Sequence, residues 1–225
     1  MRKIFVLFIG GLLISSGNMF AQIPQDGGLH TDMLIQTRAT NEFVTYEGTP
    51  YLEDNFKPGT FTIEGKEPTN AFLRYNVVTE EMEIKTDYNG EVTYLLPTNK
   101  NIRYQLGPNE YVFRNLRVDG NLLKGYFVEH YVGEKVSLVE KLIASTTEPM
   151  KAQTAYQKDK PAQIVMEEKY FLILENGEVQ EVKLKTKDFT KALPNSRAVK
   201  NYLSNNKVKT IEDYKKLLQW YEEQA

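Results

Sequence analysis

Between Phe43 and Lys185 the chain repeats one motif: a short run of alternating apolar and polar residues, then a dipeptide able to turn it. Asn101–Leu106, NIRYQL, sets Ile102, Tyr104 and Leu106 on one face and Arg103 and Gln105 on the other. Such a period of two belongs to a strand with one buried side. Glu91–Leu96 does the same with Val92, Tyr94 and Leu96, and Tyr111–Leu116 is rich in strand formers. Turn signals fall between these runs at Asn89-Gly90, Gly107-Pro108-Asn109, Asp119-Gly120, Gly133-Glu134 and Asn176-Gly177. Asn-Gly and Asp-Gly supply the positive φ angles of tight hairpins. The spacing predicts a mainly β (α+β) protein: an antiparallel sheet, as a sandwich or open barrel. KYFLILE, Lys169–Glu175, is apolar at both alternating sets of positions, so that strand should be covered on both faces.

Beyond Lys185 the period changes. Lys187–Pro194 predicts a short helix begun by Asp188 and stopped before Pro194. A second follows, capped by Asn195 or Ser196, with Val199, Tyr202 and Leu203 at helical spacing. In the last, Thr210 and Asp213 form a capping-box pattern, and Ile211, Tyr214, Leu217, Leu218 and Tyr221 make one apolar stripe. That stripe should pack on the sheet. The expected organisation is residues 1–21 as a signal peptide, 22–42 as a flexible lead-in with a short helix over Thr31–Gln36, 43–185 as the β domain, and 186–225 as helices packed on it.

The signal peptide rests on Arg2 and Lys3, the uncharged run Ile4–Ile14, a polar Ser15–Asn18 segment and then MFAQ. An apolar run of roughly 7–15 residues is too short to span a bilayer and suits a secretory signal. Cleavage is expected between Ala21 and Gln22. The chain has no cysteine, hence no lipid attachment at one, and no later apolar run is long enough for a membrane anchor. Cleavage lowers Lys+Arg from 28 to 26 against 30 acidic residues, a net charge of −4. A balance so near neutral does not point to nucleic acid.

The hairpin LRYNVVTEEMEIK, Leu73–Lys85, carries the densest polar chemistry. Ala71–Val78 reads as one strand, Thr79–Glu81 as a turn and Met82–Thr86 as the return. Glu80 and Glu81 are then expected in water. Arg74 and Asn76 share a face with Phe72 and Val78, where hydrogen bonding beneath the turn is expected. Together Arg74, Asn76, Glu80 and Glu81 form a candidate structural polar cluster. The segment from Lys183 onward has ten basic and five acidic residues. Lys200, Lys207, Lys209, Lys215 and Lys216 are its candidate basic face toward an anionic surface or acidic partner.

Signatures of bond-making chemistry are missing. His30 and His130 lie far apart in sequence, no HExxH or acidic calcium loop occurs, and there is no G-x-S-x-G elbow or Walker loop. Glu129 and His130, adjacent on a strand, point to opposite faces and form no acid–base pair. No catalytic, metal or cofactor residue is assigned. A pair of acids facing each other across a cleft remains open to any β fold.

Four stretches, Gly48–Phe61, Leu73–Lys85, Glu167–Val179 and Val199–Glu223, together resemble uncharacterised exported β-rich proteins of the Bacteroidetes cell envelope. The resemblance implies an exported protein of a Gram-negative envelope, periplasmic or extracellular, and carries over no catalytic residue. The first expectation is a non-enzymatic binding or assembly factor whose partner is an envelope protein or anionic surface. The alternatives are a carrier of a lipid or other apolar ligand in a curved-sheet cavity, and a carboxylate-based hydrolase acting on polysaccharide.

Overall fold

The structure is a computed structural model that describes residues 35–36, 46–98, 100–152, 154, 156, 158 and 160–224. The expected cleavage site at Ala21 and Gln22 lies outside the described residues, as does most of the lead-in. The strands are β1 (Ile35–Gln36), β2 (Tyr46–Glu47), β3 (Lys57–Ile63), β4 (Thr69–Asn76), β5 (Glu81–Lys85), β6 (Tyr94–Leu95), β7 (Ile102–Leu106), β8 (Asn109–Val118), β9 (Asn121–Val132), β10 (Val136–Thr146), β11 (Ala162–Leu174) and β12 (Val179–Val182). Three helices follow, α1 (Thr186–Ala192), α2 (Ser196–Asn205) and α3 (Ile211–Glu223). The strands hydrogen-bond in the order β1-β6-β5-β4-β3-β7-β8-β9-β10-β11-β12, and β2 joins β11 in parallel. The sheet is antiparallel along that path and does not close on itself.

Side-chain alternation divides the interior into three apolar clusters. Phe61, Leu73, Tyr75, Ile84, Tyr104 and Tyr126 belong to the first, drawn from β3 to β9. In the second, Val136, Leu138, Leu172 and Leu174 of β10 and β11 pack against Phe189, Val199, Tyr214, Leu217 and Leu218 of the helices. Leu116, Phe127, Val139 and Phe171 make the third. Leu138 pairs with Leu172 and Val139 with Phe171, so successive residues of β11 enter different clusters. This is the two-sided burial expected from KYFLILE. The α3 stripe also packs on the sheet as expected, and its capping box forms: Thr210 Oγ1 accepts from Asp213 N at 3.3 Å and Asp213 Oδ2 accepts from Thr210 N at 3.0 Å.

The long strands β9 and β10 part company midway. Their pairing shifts register between Leu138 and Val139 and runs on to Glu140 opposite Val128. Past that point β9 continues beside β8 as far as Asn121, while β10 continues beside β11 as far as Thr146. The result is a fork in the sheet. It positions the polar groups described below.

Several local expectations are corrected. Strand β4 ends at Asn76, not Val78, because Asn76 Oδ1 accepts from Val78 N and Thr79 N, each at 3.1 Å, and turns the chain early. Glu81 consequently opens β5. Only Tyr94–Leu95 of the expected strand Glu91–Leu96 pairs. Of the expected helix Thr31–Gln36, Ile35–Gln36 is instead a strand paired with Leu95 and Tyr94, and the rest lies outside the described residues. Helix α1 starts at Thr186, with Asp188 in its first turn, where its carboxylate accepts from Lys183 N at 3.2 Å. Asn195 precedes α2 in a left-handed conformation without a side-chain cap bond.

Candidate functional site

The four hairpin residues separate into different roles. Arg74 directly faces Glu83 across β4 and β5, donating from Nε at 3.0 Å and Nη2 at 2.6 Å to Glu83 Oε2 and from Nη1 to Asp54 O at 3.0 Å. Its guanidinium lies 3.7 Å from the Tyr51 ring centroid and 4.4 Å from that of Phe56. Asn76 serves the turn. Glu81 stands opposite Asn76 at the start of β5. Glu80, expected in water, instead takes positive φ and accepts from Lys141 Nζ at 2.8 Å. Lys141 is 1% exposed and sits in the fork, where its Nζ also lies 5.3 Å from the Phe127 ring centroid. Burial lowers the Lys141 pKa, and Glu80 opposes that shift. Lys200, Lys207, Lys209 and Lys216 are exposed, and Lys215 donates to Glu212 at 2.9 Å. The five lysines lie on α2, on α3 and on the loop between them.

Two further polar groups escaped the sequence reading. Glu129 and His130 do point apart, and each finds its own partner. Glu129 accepts from Arg114 and, at 3.0 Å, from Arg103, bridging two cations on β7 and β8. His130 Nε2 lies 2.7 Å from Glu140 Oε2 on β10. Neither pairing follows from spacing, because both cross strand ladders whose register is fixed by the whole sheet.

Glu140 opens into a pocket beside the first cluster, to which Tyr75, Tyr111, Tyr126 and Val128 belong. Its cavity is about 110 Å³, walled by Tyr75, Tyr111, Tyr126, Glu140, Glu168 and the apolar Leu52, among others. Sheet register explains the gathering. Glu140 pairs with Tyr170 and Leu142 with Glu168, so Glu140 and Glu168 are diagonal neighbours on one face, a backbone spacing of roughly 7–8 Å. The Tyr170 hydroxyl donates to Glu168 at 3.2 Å and is also within hydrogen-bonding reach of Glu140. Burial first, and then the two carboxylates, push the Tyr170 hydroxyl above the usual tyrosine range. The Tyr170 ring lies 6.1 Å from His130, completing a chain of contacts His130–Glu140–Tyr170–Glu168.

Tyrosines form the opposite wall. Tyr75 stacks at 5.5 Å from Tyr111 and meets Tyr126 edge-on at 5.9 Å. Burial raises Tyr111 to about 12, against the opposing hydrogen bond from Asn109. Tyr75 is 2% exposed, and its hydroxyl finds no hydrogen-bond partner among the described residues. Burial and the Glu80 charge raise its pKa too. A buried hydroxyl left without a hydrogen bond costs about 1–3 kcal/mol.

A second depression, about 430 Å³ and open to solvent, is lined by Lys100, Arg103 and Arg114 with Val112, Phe113 and Leu116. Its two arginines are already engaged by Glu110 and Glu129. Among the described residues no group of three or more acids and histidines is placed to hold a metal ion. No helix there is long and apolar enough to cross a membrane. Comparison of the chain with protein-family models, with curated proteins and with solved structures finds no match.

Proposed function

We propose that this protein is an exported, non-enzymatic binding or assembly factor of a Gram-negative envelope, and that it recognises an envelope protein through an end group entering the pocket between Tyr75, Tyr111, Glu140 and Glu168. The observation that carries the reading is a pocket in which Glu140 and Glu168 stand on one face of the sheet beside Tyr75, Tyr111 and Tyr126. Size supports recognition of an end group. A cavity of about 110 Å³ is well below the ~300–1,000 Å³ that buries a whole small ligand. Export rests on the N-terminal signal pattern. Leu52, 39% exposed, stands at the pocket and makes a reporter position. A photo-crosslinking residue there should join a discrete envelope protein, whereas one at Leu122, 61% exposed and not part of the pocket wall, should not. Equal capture at both positions would contradict the proposal.

A second reading, a carboxylate hydrolase, is favoured by Glu140 and Glu168 lining one cavity as diagonal neighbours. Acid pairs of glycoside hydrolases stand about 5–9.5 Å apart. Here Glu140 lies 2.7 Å from His130 Nε2 and Glu168 accepts from the Tyr170 hydroxyl, so each acid already has a polar neighbour. Hydrolysis of an envelope polysaccharide that is abolished by Glu140→Gln, with folding intact, would establish this reading over the first.

A further inference from the structure

We infer that the group the pocket accepts is a primary ammonium, as carried by a lysine side chain, a polypeptide N-terminus or a free alkylamine. The inference rests on the pocket being a binding site and adds the chemistry of its occupant. Charge comes first. Two carboxylates, Glu140 and Glu168, line the cavity, and among the described residues no lysine or arginine does. The nearest lysines in the strands, Lys141 and Lys169, pair with each other in register between the pocket-facing pairs Glu140–Tyr170 and Leu142–Glu168, so they leave from the opposite face. His130 touches Glu140 without lining the cavity. An anionic group would face both carboxylates, and a cation is the occupant they attract.

Shape and hydrogen bonding narrow the cation further. The rings of Tyr75, Tyr111 and Tyr126 present π faces and edges to one cavity, and a cation within about 6 Å of such a ring is attracted to it. Leu52, Val128 and Leu142 supply apolar wall for a short methylene stem. A primary ammonium carries three N–H donors. The lining residues that carry acceptors for them include the two carboxylates and the Asn109 amide. A quaternary ammonium could answer none of them. Among the described residues no group of three or more acids and histidines is placed to hold a metal ion there. The volume, room for about three or four water molecules, fits an aminoalkyl end.

The test is titration of the isotopically labelled full chain with n-butylammonium and, separately, with n-butanol, followed by backbone amide shifts. The expected result is that n-butylammonium shifts amides around Tyr75, Val128, Glu140 and Leu142 while n-butanol does not. Binding should weaken about tenfold in Glu140→Gln or Glu168→Gln and about a hundredfold in the double variant, each checked for folding by its amide spectrum. A lysine-bearing peptide and its acetyl-lysine counterpart distinguish a polypeptide source from a free amine: a peptide that binds only when unacetylated identifies the former. Equal response to butanol, no response to either compound, or undiminished binding in the double variant would overturn the inference. If crosslinking from Leu52 still captures a discrete partner in that event, the binding reading stands and only the ammonium fails.

Discussion

Lys141 Nζ stands 2.8 Å from Glu80 Oε1, although the two residues belong to elements that are not neighbours in the sheet. The contact is what joins the β4–β5 turn to the fork where β9 leaves β10. Gly125 makes room for it: a side chain there would land on the Glu80 carboxylate and the Lys141 ammonium, and its φ of 139° is one that few other residues adopt.

Breaking this pair should be asymmetric. Glu80→Gln leaves a buried, unanswered ammonium and should cost about 3 kcal/mol, whereas Lys141→Met leaves a carboxylate that is 32% exposed and should cost about 1 kcal/mol or less. Gly125→Ala should cost at least as much as Glu80→Gln. Urea unfolding of the three variants checks the order, and equal losses for Glu80→Gln and Lys141→Met would contradict it.

Alkaline pH should unfold the protein through its buried tyrosines. In the unfolded chain Tyr111 loses its proton near pH 10, while burial holds the folded group to about 12. Between those values the unfolded state binds fewer protons, so stability present below pH 10 is lost as pH rises toward 12, by about 2–3 kcal/mol from this residue. Tyr75 and Tyr170 shift in the same direction. Denaturant midpoints at pH 8, 10 and 11 should fall in that order, and Tyr111→Phe should flatten the decline.

The sheet was legible in sequence because alternation and turn dipeptides are local signals. The strand at residues 102–106, the two-sided burial of residues 169–175 and the α3 cap all follow from spacing. The pocket was not legible. Glu140 and Glu168 lie on strands paired across a long connection, and nothing in either local pattern distinguishes them from solvated strand acids. Glu80 looked like an ordinary turn residue because its partner is 61 positions away. Lys141, alternating with Glu140 and Leu142, carries no local sign that its ammonium is buried.

Arg74 should resist conservative replacement. A lysine cannot reproduce its donors to Glu83 and Asp54 O or its stacking on Tyr51 and Phe56. Arg74→Lys should cost about 1–2 kcal/mol in thermal or urea unfolding, and a loss near zero would show that the pair is energetically idle.

Helix α3 is fastened at its end as well as along its stripe. Glu222 Oε1 accepts from Lys135 N at 2.9 Å and Val136 N at 3.1 Å in the β9–β10 hairpin. Glu222→Ala should cost about 1–3 kcal/mol, and Leu217→Ala, which opens a cavity at a fully buried site, about 2–5 kcal/mol. Hydrogen exchange should locate both losses in α3 and the start of β10, and uniform weakening of the whole sheet would contradict this anchoring.

Recognition through the pocket is tested most directly by filling it. Leu142 lines the cavity and is only partly buried, so Leu142→Trp can occupy the space without rebuilding the core. The measurement is retention of the crosslink-identified envelope partner by the full chain and by this variant, with melting temperatures recorded on the same samples. The expected result is a melting temperature within a few degrees and retention reduced about tenfold or more. Undiminished retention by a folded Leu142→Trp protein would contradict a binding function located in this pocket.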